Sequence, residues 1–272
     1  MATVIVANDL VGVGKVALTS SLPIMSACQT EVLPLPTVLL SSHTGEFENI
    51  YMRDLTDDLK GFYKQWEHLD FTVDGLVSGY FKSREELKIV GQLARDKRIA
   101  LFVDPIMGDN GRLYQGFDME YVEAMKDFCQ QADAIIPNLT EASLLTDSPY
   151  LEVGSYDKAT VDKLLRDLTK LGPRKVVLTG ISFEEGKIGL AYFDKETNKT
   201  TYLMRKSYKS HFYGSGDLVT AVLASGYFHH LNLLKVANLA LDFMDQVLSS
   251  TLASGRPLKY GLCYEPHIGY LF

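Results

Sequence analysis

The chain has 272 residues, 46% of them hydrophobic and 22% charged, with a formal net charge of −7. This is ordinary globular composition, and a chain of this size buries roughly three-quarters of its unfolded surface without needing disulfide or metal staples. The negative balance argues against nucleic acid or an anionic membrane surface as the main partner, although a local site can still be positive.

Three widely spaced cysteines, Cys28, Cys129 and Cys263, suggest neither a disulfide framework nor a metal knot. The N-terminus runs directly into a strand without a basic leader. No run reaches about 18 apolar residues, so a cytoplasmic protein without signal peptide or membrane span is expected.

In chain order, "TVIVAN" (Thr3 to Asn8) predicts a strand, and a helix follows over about Lys15 to Gln29 with a kink at Pro23. "TVLLSS" (Thr37 to Ser42) predicts a second strand. Leu55, Leu59, Phe62, Trp66 and Leu69 have helical spacing, and "DGLVSGYF" is strand-like. "SREELKIVGQLARDK" predicts a helix with Ser83 and Glu86 placed for a capping box. "IALFVDPI", "DAIIPNL" and "KVVLTGI" are further short apolar strands separated by helical patterns. Ile188 to Phe193 with Thr200 to Arg205 predict an edge hairpin around "DKETNK", and two helices over about Asp217 to His230 and Leu234 to Leu252 finish the chain.

Apolar strands alternating with amphipathic helices predict one three-layer α/β/α domain, residues 1–272, around a mostly parallel sheet. In such a sheet ligands bind at the carboxyl ends of the strands. Those ends carry Asn8 and Asp9; Ser41 to Thr44; Gly79 and Tyr80; Asp104; Asn138 and Glu141; Thr179 and Gly180.

Two glycine motifs compete for a phosphate-binding role. "GVGK" (Gly12 to Lys15) lacks both the spacing of a P-loop and the hydroxyl after its lysine, since Val16 follows. "GSGD" (Gly214 to Asp217) directly precedes an apolar helical pattern. Its bare N–H groups and the helix dipole would form an anion hole with a carboxylate beside it. Taken alone, the motif reads better as an ordinary turn in which Asp217 caps the helix. Asp104 and Asp109 in "VDPIMGDNGRLY", with Asn138 and Glu141 in "PNLTEASLL", add the oxygen donors that a Mg²⁺–phosphate site requires.

Together these segments resemble the ribokinase-like superfamily, most closely its pyridoxal kinase branch, over nearly the whole chain. "DPIMGDNGRLY" is the most specific match, supported by "GSGD", "PNLTEASLL", "SSHTG" and "SGY".

The resemblance implies ATP-dependent phosphorylation of the 5′-hydroxymethyl group of a B6 vitamer. Asp217 would be the base, and Gly214, Ser215 and Gly216 the anion hole. Asp104, Asn138, Glu141 and Thr179 would lie around ATP, with Asp104 and Glu141 near Mg²⁺, directly or through water. Asp9, Val38, Leu40, His43, Thr44 and Tyr80 would hold the acceptor. A homodimer is implied by analogy, and a monovalent cation is compatible with the family.

Asp9 stands where many pyridoxal kinases have Ser, and aromatic residues His211 to Tyr213 precede the hole where relatives often have small ones. The competing readings are a hydroxymethylpyrimidine kinase, from whose early G-x-D-x-S-G-G-A-G pattern "VANDLVGVGK" departs, and a catalytically silent protein that binds pyridoxal 5′-phosphate.

Overall fold

The computed structural model describes residues 1–271; Phe272, the last residue of the expected 1–272 domain, lies outside them. The chain runs β1 (Thr3–Val13), α1 (Ala17–Ala27), β2 (Glu31–Ser42), β3 (Met52–Asp54), α2 (Thr56–Trp66), β4 (Gly75–Ser78), α3 (Arg84–Lys97) and β5 (Ala100–Val103). It continues through the small hairpin β6 (Gly108–Asp109) and β7 (Arg112–Leu113) to α4 (Met119–Cys129), β8 (Ala134–Ile135), α5 (Leu139–Leu145) and α6 (Lys158–Leu171). It ends with β9 (Lys175–Ile181), β10 (Lys187–Asp194), β11 (Lys199–Lys206), α7 (Ser215–Phe228) and α8 (Leu233–Ala253), then short 3-10 turns at Leu258–Tyr260 and Glu265–Leu271.

Nine strands form one sheet in the order β11-β10-β9-β8-β5-β4-β1-β2-β3. The pairs from β2 through β9 are parallel, while β3, β10 and β11 add antiparallel edges. The expected edge hairpin is present in full register from Lys187↔Lys206 to Asp194↔Lys199.

Alternate strand residues feed two cores, because successive side chains point to opposite faces. Ile5, Ala7, Leu76, Leu101, Val103, Val176 and Leu178 meet α2 to α6 on one face. Val4, Val6, Val77, Phe102, Ile136, Val177 and Leu190 meet α1, α7 and α8 on the other. Helix α7 is apolar nearly all round because it is packed between α1 and α8 as well as the sheet. That burial fixes its first turn, which carries the "GSGD" motif.

Two expectations change at β1 and β2. Both strands run past the sheet body, to Val13 and Ser42, and with β3 they form a projecting flap. β2 also begins six residues earlier than its apolar run, at Glu31 instead of Thr37, because Pro34 and Pro36 disguise it. Spaced by two, both prolines turn their missing N–H groups to the same side, the one with no partner strand there. At the base of the flap the register shifts between Asn8 and Leu10, a bulge that re-aims Asp9. Ser83 and Glu86 form the expected capping box. Among the described residues no helix is long and apolar enough to cross a membrane.

Phe102 is fully buried at the sheet centre, whereas Phe62 on α2 is 39% exposed. Phe102→Ala should cost about 3–5 kcal/mol by transfer and cavity formation, and Phe62→Ala less than about 1 kcal/mol. Urea-denaturation midpoints of the two variants check this ordering.

Candidate active site

β1 has β2 on one side and β4 on the other, so the strand order reverses there and a crevice opens at the carboxyl ends of β1 and β4. Asn8 spans that crevice. Its side-chain oxygen accepts the N–H of Asp9 at 3.0 Å and of Tyr80 at 2.7 Å. Its amide, together with the Ala17 N–H, faces the Asp217 carboxylate. Ala17 adopts φ 51 at the start of α1, a left-handed strain of order 1–3 kcal/mol that presents its amide to Asp217.

The turn before α7 is a helix N-terminus capped by Gly214 at φ 85, with no side-chain capping bond. Asp217 therefore sits in the first turn and is not the cap, so the capping alternative fails. Gly214 is required sterically, since a Cβ there would lie 2.3 Å from the Lys15 carbonyl oxygen. The Ser215 hydroxyl donates to the Phe212 carbonyl at 3.1 Å and closes the turn. The first-turn N–H groups have no intrahelical acceptor and point toward the cleft with the positive dipole end behind them.

That cleft has a volume of about 520 Å³. It is walled by Asp104, Asn138, Glu141, Thr179 and the Gly214 to Asp217 turn, and by aromatic and apolar groups of the β11–α7 loop and α8. Asp104 Oδ2 accepts the Thr220 hydroxyl at 2.6 Å. Glu141 does two jobs: its carboxylate accepts the Asn138 N–H at 2.8 Å and the Met107 N–H at 3.3 Å, while Asn138 caps α5 in return at 2.9 Å. Asn138 also donates to the Gly108 carbonyl at 2.9 Å, and Thr179 lies beside it through a parallel bridge.

The electrostatics are lopsided. Burial and then the nearby Asp217 charge push Asp9 up to about 8. Burial raises Asp104 to about 7, with Asp217 adding to the shift and the Thr220 bond opposing it. Burial and the Asp104 charge hold Glu141 well above the carboxylate range. Asp217 is also raised by burial, opposed by the Ala17 and Asn8 donors. Among the described residues no cluster of three or more acidic, His or Cys side chains builds a complete metal cage.

The expected acceptor residues gather on the other side of Asp217. Val38 and Leu40 are buried with Val11, Val16 and Ala17, against Tyr80 and Tyr213. Asp9 is 8% exposed, and Thr44 is exposed at the rim. His43 is already committed: Nδ1 accepts the Gly45 N–H at 3.0 Å, which leaves Nε2 to donate to the Lys259 carbonyl at 2.5 Å. Only its ring faces remain for packing. Lys15 of "GVGK" is paired with Glu265 at 2.5 Å, away from the cleft, which agrees with the failed P-loop spacing.

Sequence reasoning left out Thr220, Ala17 and the role of Asn8. Thr220 was detectable, since it lies three residues beyond Asp217 on the same helix face. Ala17 was not, because a left-handed alanine has no sequence signal.

A doubly wound sheet with a helix N-terminus free of side-chain caps and carboxylates at its switch point is the arrangement of a kinase of the ribokinase-like class. The chain belongs to the phosphomethylpyrimidine kinase family, whose family model matches residues 56–260. The pyridoxal kinase of Lactobacillus plantarum superposes with TM-score 0.92 at 31% identity, over 100% of this chain and 96% of that one. A Bacteroides thetaiotaomicron protein described as a phosphomethylpyrimidine kinase, in a crystal form with pyridoxal, gives TM-score 0.94 at 30% identity, over 99% and 95% of the two chains. The pyridoxal kinase of Dictyostelium discoideum is 26% identical over 248 residues, covering 84% of this chain and 79% of its own length.

A carboxyl whose folded-state pKa is raised contributes stability that is fully present below its unfolded pKa and lost as pH rises through the folded value. For Asp104 and Asp9 those folded values are about 7 and about 8. The thermal midpoint of the free protein should therefore rise as pH falls from about 8.5 to about 6. Asp104→Asn, which keeps an acceptor for Thr220, should raise the midpoint at the alkaline end and flatten the slope. Calorimetry across that range checks both outcomes.

Proposed function

We propose that this kinase transfers the γ-phosphoryl group of ATP to the 5′-hydroxymethyl group of a B6 vitamer: pyridoxal, pyridoxine or pyridoxamine. The observation that carries the reading is the position of Asp217, between the cleft walled by Asp104 and Glu141 and the apolar cluster of Val38 and Leu40 against which Tyr80 packs. A carboxylate there can take the hydroxyl proton as the oxygen attacks phosphorus. The Gly214, Ser215 and Gly216 amides hold the equatorial oxygens of the transferring group, and positioning with charge stabilisation supplies most of the catalysis in this reaction class.

Tyr80 offers a flat face to the pyridine, and Asp9, on its bulge, reaches the ring substituents. Asp104 and Glu141 fit a Mg²⁺ ion that arrives with the nucleotide and keeps its own waters, since two carboxylates suffice for that mode. When bound, the ion neutralises phosphate charge. Thr179 and Asn138 support the phosphate side.

The one-domain organisation over residues 1–272 belongs to the same reading. So does a homodimer, supported by the exposed apolar Val13, Leu39, Tyr51 and Met52 on the flap. A cytoplasmic location is supported by the free thiols of Cys28, Cys129 and Cys263.

The family description, phosphomethylpyrimidine kinase, supports one second reading, in which the acceptor is a hydroxymethylpyrimidine or its phosphate. A coupled ADP-release assay with pyridoxal, pyridoxamine and hydroxymethylpyrimidine separates the two, and turnover with the pyrimidine alone would overturn the vitamer reading.

Asp217→Asn should lower kcat by about 10²–10⁴ while ADP affinity, read by calorimetry, stays within a few-fold. Because the base works ionised and its pKa is raised, kcat/KM should fall on the acid side at a pH above the ordinary carboxylate range. Retention of native turnover in the variant would remove Asp217 from the base role.

A further inference from the structure

Among the described residues, Tyr213 alone both lines the nucleotide cleft and packs on the acceptor-side apolar cluster. Its backbone is fixed on the nucleotide side. It immediately precedes Gly214, whose Cα presses on the Lys15 carbonyl, and the Ser215–Phe212 bond closes the same turn.

Its ring is fixed on the acceptor side. It stacks on His43 with centroids 4.7 Å apart and planes at 29°. His43 in turn cannot swivel, because both ring nitrogens are bonded to backbone, at Gly45 and at Lys259. Phe47 meets His43 edge-on at 4.9 Å, and His211 meets Tyr213 edge-on at 4.6 Å. Gly45 lies flat against the tyrosine, so that an added Cβ would come within 2.2 Å of its ring. The Glu46 carboxylate lies beside the hydroxyl.

A rigid aromatic ring thus joins the turn before α7 to the loop that ends β2, between the cleft and the acceptor-side cluster. We propose that Tyr213 is a positioning residue that holds the acceptor loop in register with the anion hole and keeps water out of the transfer line. This rests on the kinase reading above and deepens it.

Two consequences distinguish this role from simple packing. Without the ring, water competes with the acceptor hydroxyl for the γ-phosphorus, so ATP is hydrolysed to ADP and inorganic phosphate without phosphorylated vitamer. The acceptor loop also loses its register, so KM for the vitamer rises while KM for ATP changes little. The stack supplies most of the effect, and the hydroxyl only its contact with Glu46.

The test measures ADP and phosphorylated vitamer in the same reaction for native protein, Tyr213→Ala, Tyr213→Phe and Gly45→Ala. Native protein is expected to form the two products one for one, and absence of the phosphorylated vitamer there would overturn the kinase reading itself. Given a coupled native enzyme, Tyr213→Ala should raise the ratio of ADP to product, and the vitamer KM, by about tenfold or more, since small misplacement of a reacting group is costly.

Tyr213→Phe should restore most of the native ratio. Gly45→Ala displaces the ring from the opposite side without altering it, and should reproduce the uncoupling even if Tyr213→Ala folds poorly. A native ADP-to-product ratio in folded Tyr213→Ala or in Gly45→Ala overturns the proposal, as does an equal rise in both KM values.

Discussion

Four carboxyl groups converge on one place with too little positive charge to balance them. Asp9, Asp104, Glu141 and Asp217 are each raised by burial, and Asp217 adds to the shifts of both Asp9 and Asp104. Burying like charges costs several kcal/mol unless protons or cations offset them. The compensation built into the chain is partial. It consists of the Thr220 hydroxyl, the Asn138 and Met107 amides, and the Asn8 and Ala17 donors. The free protein therefore holds incompletely compensated carboxyl groups at the strand ends, a cost that protons offset as pH falls.

The topology explains why the charges gather. Parallel strands place all their carboxyl ends on one edge of the sheet. β1, β4, β5 and the segment after β8 then deliver Asp9, Tyr80, Asp104 and Asn138 side by side. Helix α7 comes from the far end of the chain, and its burial between α1 and α8 anchors its N-terminus over the switch point. Its dipole adds positive potential at that point, where the first-turn amides have no side-chain cap.

The sheet was legible because its strands are continuous apolar runs, and the strand-end polar residues were legible because each closes such a run. The edge hairpin was legible from the turn chemistry of its loop. What escaped was geometry without a compositional mark. Pro34 and Pro36 concealed the first half of β2, since a proline ordinarily argues against a strand and is tolerated here only because that side of β2 has no partner. The left-handed Ala17 and the bulge at Asp9 depend on contacts from elements more than twenty residues away in sequence. His43 was read as an acceptor ligand through the family resemblance, but its two nitrogens are spent on Gly45 and Lys259, and the latter is 216 residues distant.

The two glycine motifs finally account for each other. "GVGK" resembles a phosphate loop yet lines no part of the cleft, and Lys15 leaves toward Glu265. The carbonyl of that same lysine is what Gly214 must approach, and the amide of Ala17, two residues on, is what Asp217 faces. The first motif is thus the bed on which the second lies. A Cβ at Gly214 would push the turn off that bed, moving the first-turn amides and Asp217 together, away from the Ala17 amide and the Asn8 side chain that Asp217 faces.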